Sequence, residues 1–453
     1  MTSPPPRSLF DPLLSSDEVA AATGPEAWVE ALVEFERELA AAQADLGILP
    51  AAAAEAVADA CRTLTAAPAD LGTRGRAAGN PAAPLVAALR PLAGEHGWAV
   101  HYGATSQDAM DTAMMLVVKR ACAAVLVDLD RACDAAAALA RRYRTVPMTG
   151  RTLLQPAVPV TFGLKSARWL LALLEAAEGV EHVAATRLAI QLGGAAGTLS
   201  AWGERGLELA ARLAARLGLR DPVMPWHTDR SRLLEVSGAL LLAAAAAAKV
   251  ALDVVLLAQA EVGEVRESRE PGHGSSSTMP HKANPVSSVL VLAGWRRAHG
   301  AASTLSSCAV QDHERAATGA WHAEWQSLTD LLQAVGGCVR GAADVLGSMS
   351  VDGTRLSGNL GASGALVLSE RITLDLAPDI GRDAAAQVAA TAAGAEGRTL
   401  REVLGSLPEV ASRRSARELD ALADPSGYLG AADALVERAL HVYESRRHAG
   451  EEP

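Results

Sequence analysis

Between Val236 and Leu257 the chain is apolar at nearly every position, with the run 239-ALLLAAAAAA-248 preceding Lys249 and Asp253. A helix that is apolar on one stripe packs on one side; one that is apolar all round must be buried on every side. Six consecutive alanines strengthen the helical choice and leave small side chains that let neighbouring helices come close. The segment is therefore expected at the centre of a helix bundle. Its apolar run falls short of the ~20 residues a membrane span needs.

The rest of the chain suits such a bundle. Half of its 453 residues are hydrophobic but only 3% are aromatic, so the core is built mainly from Ala, Leu and Val. From Trp28 the apolar residues recur at Leu32, Phe35, Leu39 and Leu46, an amphipathic helical pattern. Similar patterns cover roughly 112–142, 163–190, 204–218, 232–266, 286–310 and 322–348. No strand-type alternation and no repeat of fixed period stands out. An all-α chain of three helical domains is expected, at 1–110, 111–350 and 351–453, with long helices in the central one.

The formal net charge of −11 weighs against binding a nucleic-acid backbone or an anionic membrane, though a few placed cations still suffice for a small anionic substrate. The five cysteines are scattered, without a C-x-x-C pair, and are expected as small buried hydrophobes. The leading MTSPPPRSLF has no apolar core of a secretion signal, so a cytoplasmic location is expected.

Chemistry concentrates in two stretches. In 272-GHGSSSTMPHKANPVSS-288, Gly272 and Gly274 permit close backbone approach, while Ser275, Ser276 and Ser277 offer hydroxyls and N–H groups. Lys282 adds a cation and Asn284 a directional amide between Pro280 and Pro285. Such a loop can cover a small polyanion; the plain alternative is a surface linker. In 101-HYGATSQDAMDT-112, Thr105 and Ser106 can hold a carboxylate at a helix N-terminus, and His101 can move a proton near neutral pH. The plain alternative there is an ordinary N-cap. The histidines of 313-HERAATGAWHAEW-325 match no metal-ligand spacing, and Arg315 reads as a carboxylate clamp.

The run 275-SSSTMPHKANP-285 closely resembles the signature loop of the fumarase/aspartase superfamily, Gly-Ser-Ser-x-Met-Pro-x-Lys-x-Asn-Pro. Together with 101–112, 150-GRTLLQPAVP-159, 193-GGAAGTL-199, 225-PWHTDR-230, 259-QAEVGEV-265 and 311–325, it resembles the bacterial 3-carboxy-cis,cis-muconate cycloisomerase branch along nearly the whole chain. That resemblance implies a homotetramer with a twenty-helix central core, sites composed from three subunits, a small polycarboxylate substrate, and neither metal nor organic cofactor. By position, Ser276 matches the proton-abstracting serine and His101 a histidine lining the site. Lys282 and Asn284, and likewise Thr105 and Ser106, match carboxylate-binding residues, with Gln155, Gln259 and Arg315 at further polar positions.

The shared chemistry removes a proton alpha to a carboxylate and expels a group from the beta carbon, or runs in reverse. Charge building on the carboxylate needs fixed N–H donors and a cation in a water-excluded site. Three departures from the pattern stand out. Ser275 replaces the usual glycine, Ala283 a common arginine, and Leu153 and Pro156 occupy the positions where many relatives carry a histidine. A missing proton donor disfavours amine leaving groups and suits a carboxylate or nitrite, which depart as anions. The expected activity is therefore lactonisation of 3-carboxy-cis,cis-muconate, with nitrosuccinate elimination and a non-catalytic structural relative as alternatives.

Overall fold

The computed structural model describes residues 9–268, 283–315, 317–395 and 397–449. Among these the chain is helical, as expected, and the long helices are those announced by apolar periodicity. The first part contains α1 (Asp17–Thr23), α2 (Pro25–Asp45), α3 (Ala51–Thr63), α4 (Pro68–Gly75), α5 (Ala82–Leu92) and α6 (Ser106–Arg142). Next come α7 (Phe162–Thr186), α8 (Gly206–Leu217), α9 (Ser231–Leu257), α10 (Val286–Ser307) and α11 (Ala320–Ser348). Shorter helices follow, among them α12 (Gly353–Ala362), α13 (Ser369–Ile380) and α14 (Arg382–Ala393). The five cysteines are buried, and among the described residues none forms a disulfide.

The chain forms two compact units that alternate along the sequence. The first comprises Met1–Asp130, Glu175–Ala248 and Leu290–Gly341; the second Arg131–Leu174, Lys249–Val289 and Ala342–Pro453. In the first unit α2 packs on α3 and α8, burying Leu32, Phe35 and Leu39 as its periodicity requires. It also buries two polar residues, Glu36 and Gln43. The start of α6 is enclosed on every side, with Met114, Met115, Val117 and Val118 fully buried. In the second unit α13 and α14 pack around Ile372, Leu376, Val388 and Leu404.

Helix α9 ends at Leu257, short of the 232–266 segment expected from its apolar pattern. Its most apolar 18-residue window has a mean hydropathy of 2.3, enough by length and composition alone to cross a membrane. Of that window 56% is buried within this one chain, which makes it a core helix. Its interior charge is accommodated locally: Asp253 accepts from the indole nitrogen of Trp169 at 2.8 Å and pairs with Lys249.

The structure departs from the strand-free expectation at one place that matters. Strands β1 (Pro147–Thr152) and β2 (Gln155–Thr161) form an antiparallel hairpin closed by Leu153 and Leu154. Prolines at 147, 156 and 159 and a glycine at 150 argue against a strand in sequence, because proline removes a ladder donor. A two-stranded ribbon has outer edges that make no ladder bonds, so it tolerates them. Both turn leucines are left-handed, at φ +50° and +65°, where hairpins normally place Asn-Gly. A second, short pair joins β3 (Val265–Arg266) to β4 (Ser350–Val351).

Candidate functional site

The N-terminus of α6 is the organising point of the first unit. A helix start leaves N–H groups without intrahelical partners, and Thr105 N–H donates to Asp108 Oδ2 at 3.0 Å. The Asp108 carboxylate, fully buried, accepts three further bonds: Gly193 N–H at 3.0 Å, Gly194 N–H at 2.9 Å and His227 Nε2 at 2.8 Å. One side chain thereby gathers three of the segments singled out in sequence, 101–112, 193–199 and 225–230. Thr112 adds a reciprocal pair with the backbone of Gln191, at 3.0 and 2.9 Å.

Arg315 joins the same cluster. Its Nη1 donates to Thr105 Oγ1 at 2.5 Å and its Nε to Gln107 Oε1 at 3.4 Å. Gln107 in turn donates to the His227 carbonyl at 2.8 Å. Beneath it Arg230, 1% exposed, donates to both oxygens of Asp111 at 2.9 and 3.1 Å. Arg230 also donates to both oxygens of Glu324 at 3.0 and 2.5 Å. Trp321 Nε1 reaches Asp111 at 2.9 Å, and Gln311 donates to Glu324 at 2.7 Å, tying the loop that carries Arg315 to α11. Burial pushes the Glu324 carboxyl up to about 7 against the pull of Arg230, and the neighbouring Asp111 adds to the rise.

His101 sits on a left-handed backbone, φ +63°, in the turn before α6. Its Nδ1 lies 2.6 Å from Glu36 Oε1, and Gln43 donates to the Tyr102 carbonyl at 2.8 Å. Residues 36 and 43 are two helical turns apart on the buried face of α2, so one helix holds this turn at two points. Gly103 follows at φ +78°, where a Cβ would lie 2.6 Å from the Trp202 ring. Burial opposes charge on His101, but Glu36, with help from Asp108, outweighs it and raises its pKa. His101, Thr105, Ser106 and Arg315 thus all belong to the first unit, with Ser106 half-buried as the first residue of α6.

Three further expected residues, Gln155, Gln259 and Asn284, belong to the second unit. Gln155 is exposed at the start of β2, paired in register with Thr152. Gln259 is exposed just past α9 and donates to the Leu256 carbonyl at 2.8 Å. Asn284 is half-buried two residues before α10. Ser276 and Lys282 lie outside the described residues. The flanks of their segment are joined: Glu267 accepts from Ser287 N–H at 3.1 Å and from Ser288 N–H and Oγ at 2.8 and 2.6 Å. Three residues earlier, Glu264, fully buried, receives a bidentate grip from Arg151 of β1 at 2.9 and 2.7 Å and a bond from Asn359 at 2.8 Å. The hairpin and the base of the loop are thereby fastened together.

Sequence inspection missed Glu36, Gln43, His227, Arg230, Glu264, Glu267 and Glu324 as parts of this framework. His227, Arg230, Glu264 and Glu324 lie within segments quoted for the resemblance, and Glu36 and Gln43 fall among the apolar positions of the helix beginning near Trp28.

Two family models match this chain: lyase over residues 16–300, and adenylosuccinate lyase C-terminus over 365–439. A 3-carboxy-cis,cis-muconate cycloisomerase from Pseudomonas aeruginosa is 42% identical over 447 residues, covering 97% of each chain. A nitrosuccinate lyase from Streptomyces davaonensis is 41% identical over 451 residues, covering 95% of this chain and 94% of that one. The solved 3-carboxy-cis,cis-muconate lactonizing enzyme from Pseudomonas putida superposes with a TM-score of 0.90 at 38% identity, over 96% of this chain and 99% of that one. With a family match over more than half its length and relatives above 40% identity end to end, the chain belongs to the lyase family of the fumarase/aspartase superfamily and is an enzyme.

Proposed function

We propose that this enzyme lactonises 3-carboxy-cis,cis-muconate, adding a substrate carboxylate across a double bond and delivering a proton alpha to another carboxylate. The likeness to the Pseudomonas putida lactonizing enzyme, 38% identical at a TM-score of 0.90, carries this reading. In the roles implied by the signature loop, Ser276 carries the alpha proton while Lys282 and Asn284 hold the carboxylate where charge accumulates. Arg315, Thr105 and Ser106 take a second carboxylate at the start of α6, supported by the 2.5 Å bond that sets the guanidinium against the Thr105 hydroxyl. Gln155 and Gln259 add polar contacts, and His101 lies along the same wall.

The enzyme works as a homotetramer with each site composed from more than one copy. In support, α9 exposes Leu234, Gly238, Leu242 and Leu252 along one side, around Lys249.

A second reading, beta-elimination of nitrite from nitrosuccinate, is favoured by the 41% identity to the Streptomyces enzyme, and the absence of histidine at 153 and 156 is compatible with it. A paired assay separates them: ultraviolet loss of 3-carboxy-cis,cis-muconate beside nitrite release from nitrosuccinate. Muconate consumed without nitrite supports lactonisation; nitrite with idle muconate overturns it. Under either substrate Ser276→Ala should lower kcat by about 100-fold or more, and near-normal turnover would remove Ser276 from proton transfer.

A further inference from the structure

We propose that Glu36 is a positioning residue that holds His101 as an imidazolium, its Nδ1–H committed to the buried carboxylate and its Nε2–H left to bind an anionic group of the substrate. The inference deepens the reading of His101 as a residue of the site and rests on it.

The Glu36 side chain is fully buried in the core of the first unit. Its Oε1 meets His101 Nδ1 at 2.6 Å, and among the described residues its Oε2 has no hydrogen-bond partner. A carboxylate out of water with a single bond is costly unless a positive charge neutralises it. His101 is the one ionisable side chain bonded to it, and 2.6 Å is the short separation of a charge-assisted bond. The remaining surroundings leave this balance in place. From α3, Cys61 faces Glu36, and burial with that carboxylate raises its thiol to about 12, so it stays neutral. Asp108 on α6 favours the charged ring, and Arg90 on α5 opposes it.

Geometry adds a second line. His101 holds a left-handed backbone, a conformation that is strained for a non-glycine residue and persists only where its surroundings enforce it. Here α2 enforces it through Glu36 on the ring and Gln43 on the Tyr102 carbonyl. With Nδ1 occupied, Nε2 makes no hydrogen bond among the described residues, and the ring keeps 11% of its surface exposed. The turn therefore presents one cationic N–H, two helical-start hydroxyls and Arg315 from the same unit. A ring fixed in this way serves as a hydrogen-bond donor to an anion rather than as the base, which leaves proton abstraction to Ser276.

The test uses the full-length enzyme with histidine labelled at 13Cε1, resonances assigned by loss of one signal in His101→Gln. In the unsubstituted enzyme His101 should titrate above the ordinary histidine value. In Glu36→Gln, where the amide still accepts from Nδ1–H but carries no charge, its pKa should fall by about one unit or more. KM for the consumed substrate should then rise about tenfold at pH 8 and recover at pH 6, with Glu36→Asp restoring most of the loss. A Glu36 that merely supports the fold would lower activity equally at both pH values and leave the His101 titration unmoved. His101 titrating at or below the ordinary value in the unsubstituted enzyme overturns the inference without reference to substrate. Failure of 3-carboxy-cis,cis-muconate to turn over would instead count against the proposed function, because the titration is read independently.

Discussion

Arg230 offers the most demanding test of the first unit's framework. It is 1% exposed and donates four hydrogen bonds, two to Asp111 and two to Glu324, themselves 0% and 1% exposed. Arg230→Met keeps much of the volume but leaves two buried carboxyls facing each other without a cation. Breaking a buried pair in this way costs about 3–5 kcal/mol. Unfolding entropy is about 2.1 cal/mol/K per residue, so over 453 residues that cost lowers Tm by roughly 3–5 °C. The loss should also depend on pH. Glu324 is raised to about 7 from 4.5, first by burial, and Arg230 is the main influence holding it down. Without Arg230 it rises further, so at pH 6 it takes up a proton and the unpaired charge is relieved. Differential scanning calorimetry at one protein concentration should therefore show a smaller Tm drop at pH 6 than at pH 8. A drop under 1 °C at pH 8, or equal drops at both pH values, would refute the assignment of a charge-bearing role to this triad.

Two further outcomes follow from single features. Asp108→Asn leaves one oxygen to serve donors from Thr105, Gly193, Gly194 and His227 and turns an amide donor toward them; Tm should fall by about 2–4 °C, and an unchanged Tm would mean that those bonds do not hold the three segments. Replacing the turn by Leu153→Asn with Leu154→Gly removes two leucines from left-handed conformations and should raise Tm by about 1–2 °C. The same variant should lose turnover if the hairpin tip enters the site of a neighbouring copy; a lower Tm would contradict the strain assigned to the leucines.

The helices were legible because their cause is local. Residues 28–46 announce α2 through apolar spacing, and the all-round apolarity after Val236 announces a core helix. The hairpin was not legible because its cause is geometric: prolines and a leucine pair stand where strand and turn propensities ask for other residues. The polar framework was hidden for a different reason. Glu36 meets His101 across 65 positions, and Arg230 meets Asp111 across 119, so no spacing rule links them. What sequence does offer is a conflict, a glutamate and a glutamine on an otherwise apolar face of α2, and such conflicts mark function more often than error.

The two least conventional features of the chain bear on the same question. Leu153 and Leu154 form the exposed tip of the hairpin, with Leu153 97% exposed, and Pro156 follows in β2; none of the three can give or take a proton. A leaving amine must gain a proton as its bond breaks, whereas a carboxylate or nitrite departs as a stable anion. His101, cationic through Glu36, favours such an anion by charge and hydrogen bonding while keeping its own proton. On the proposed reading, a cationic turn before α6 is poorly matched to C–N cleavage and well matched to a leaving or attacking oxyanion. Both the cycloisomerase that is 42% identical to this chain and the nitrosuccinate lyase that is 41% identical are named for reactions in which the exchanged group is an oxyanion.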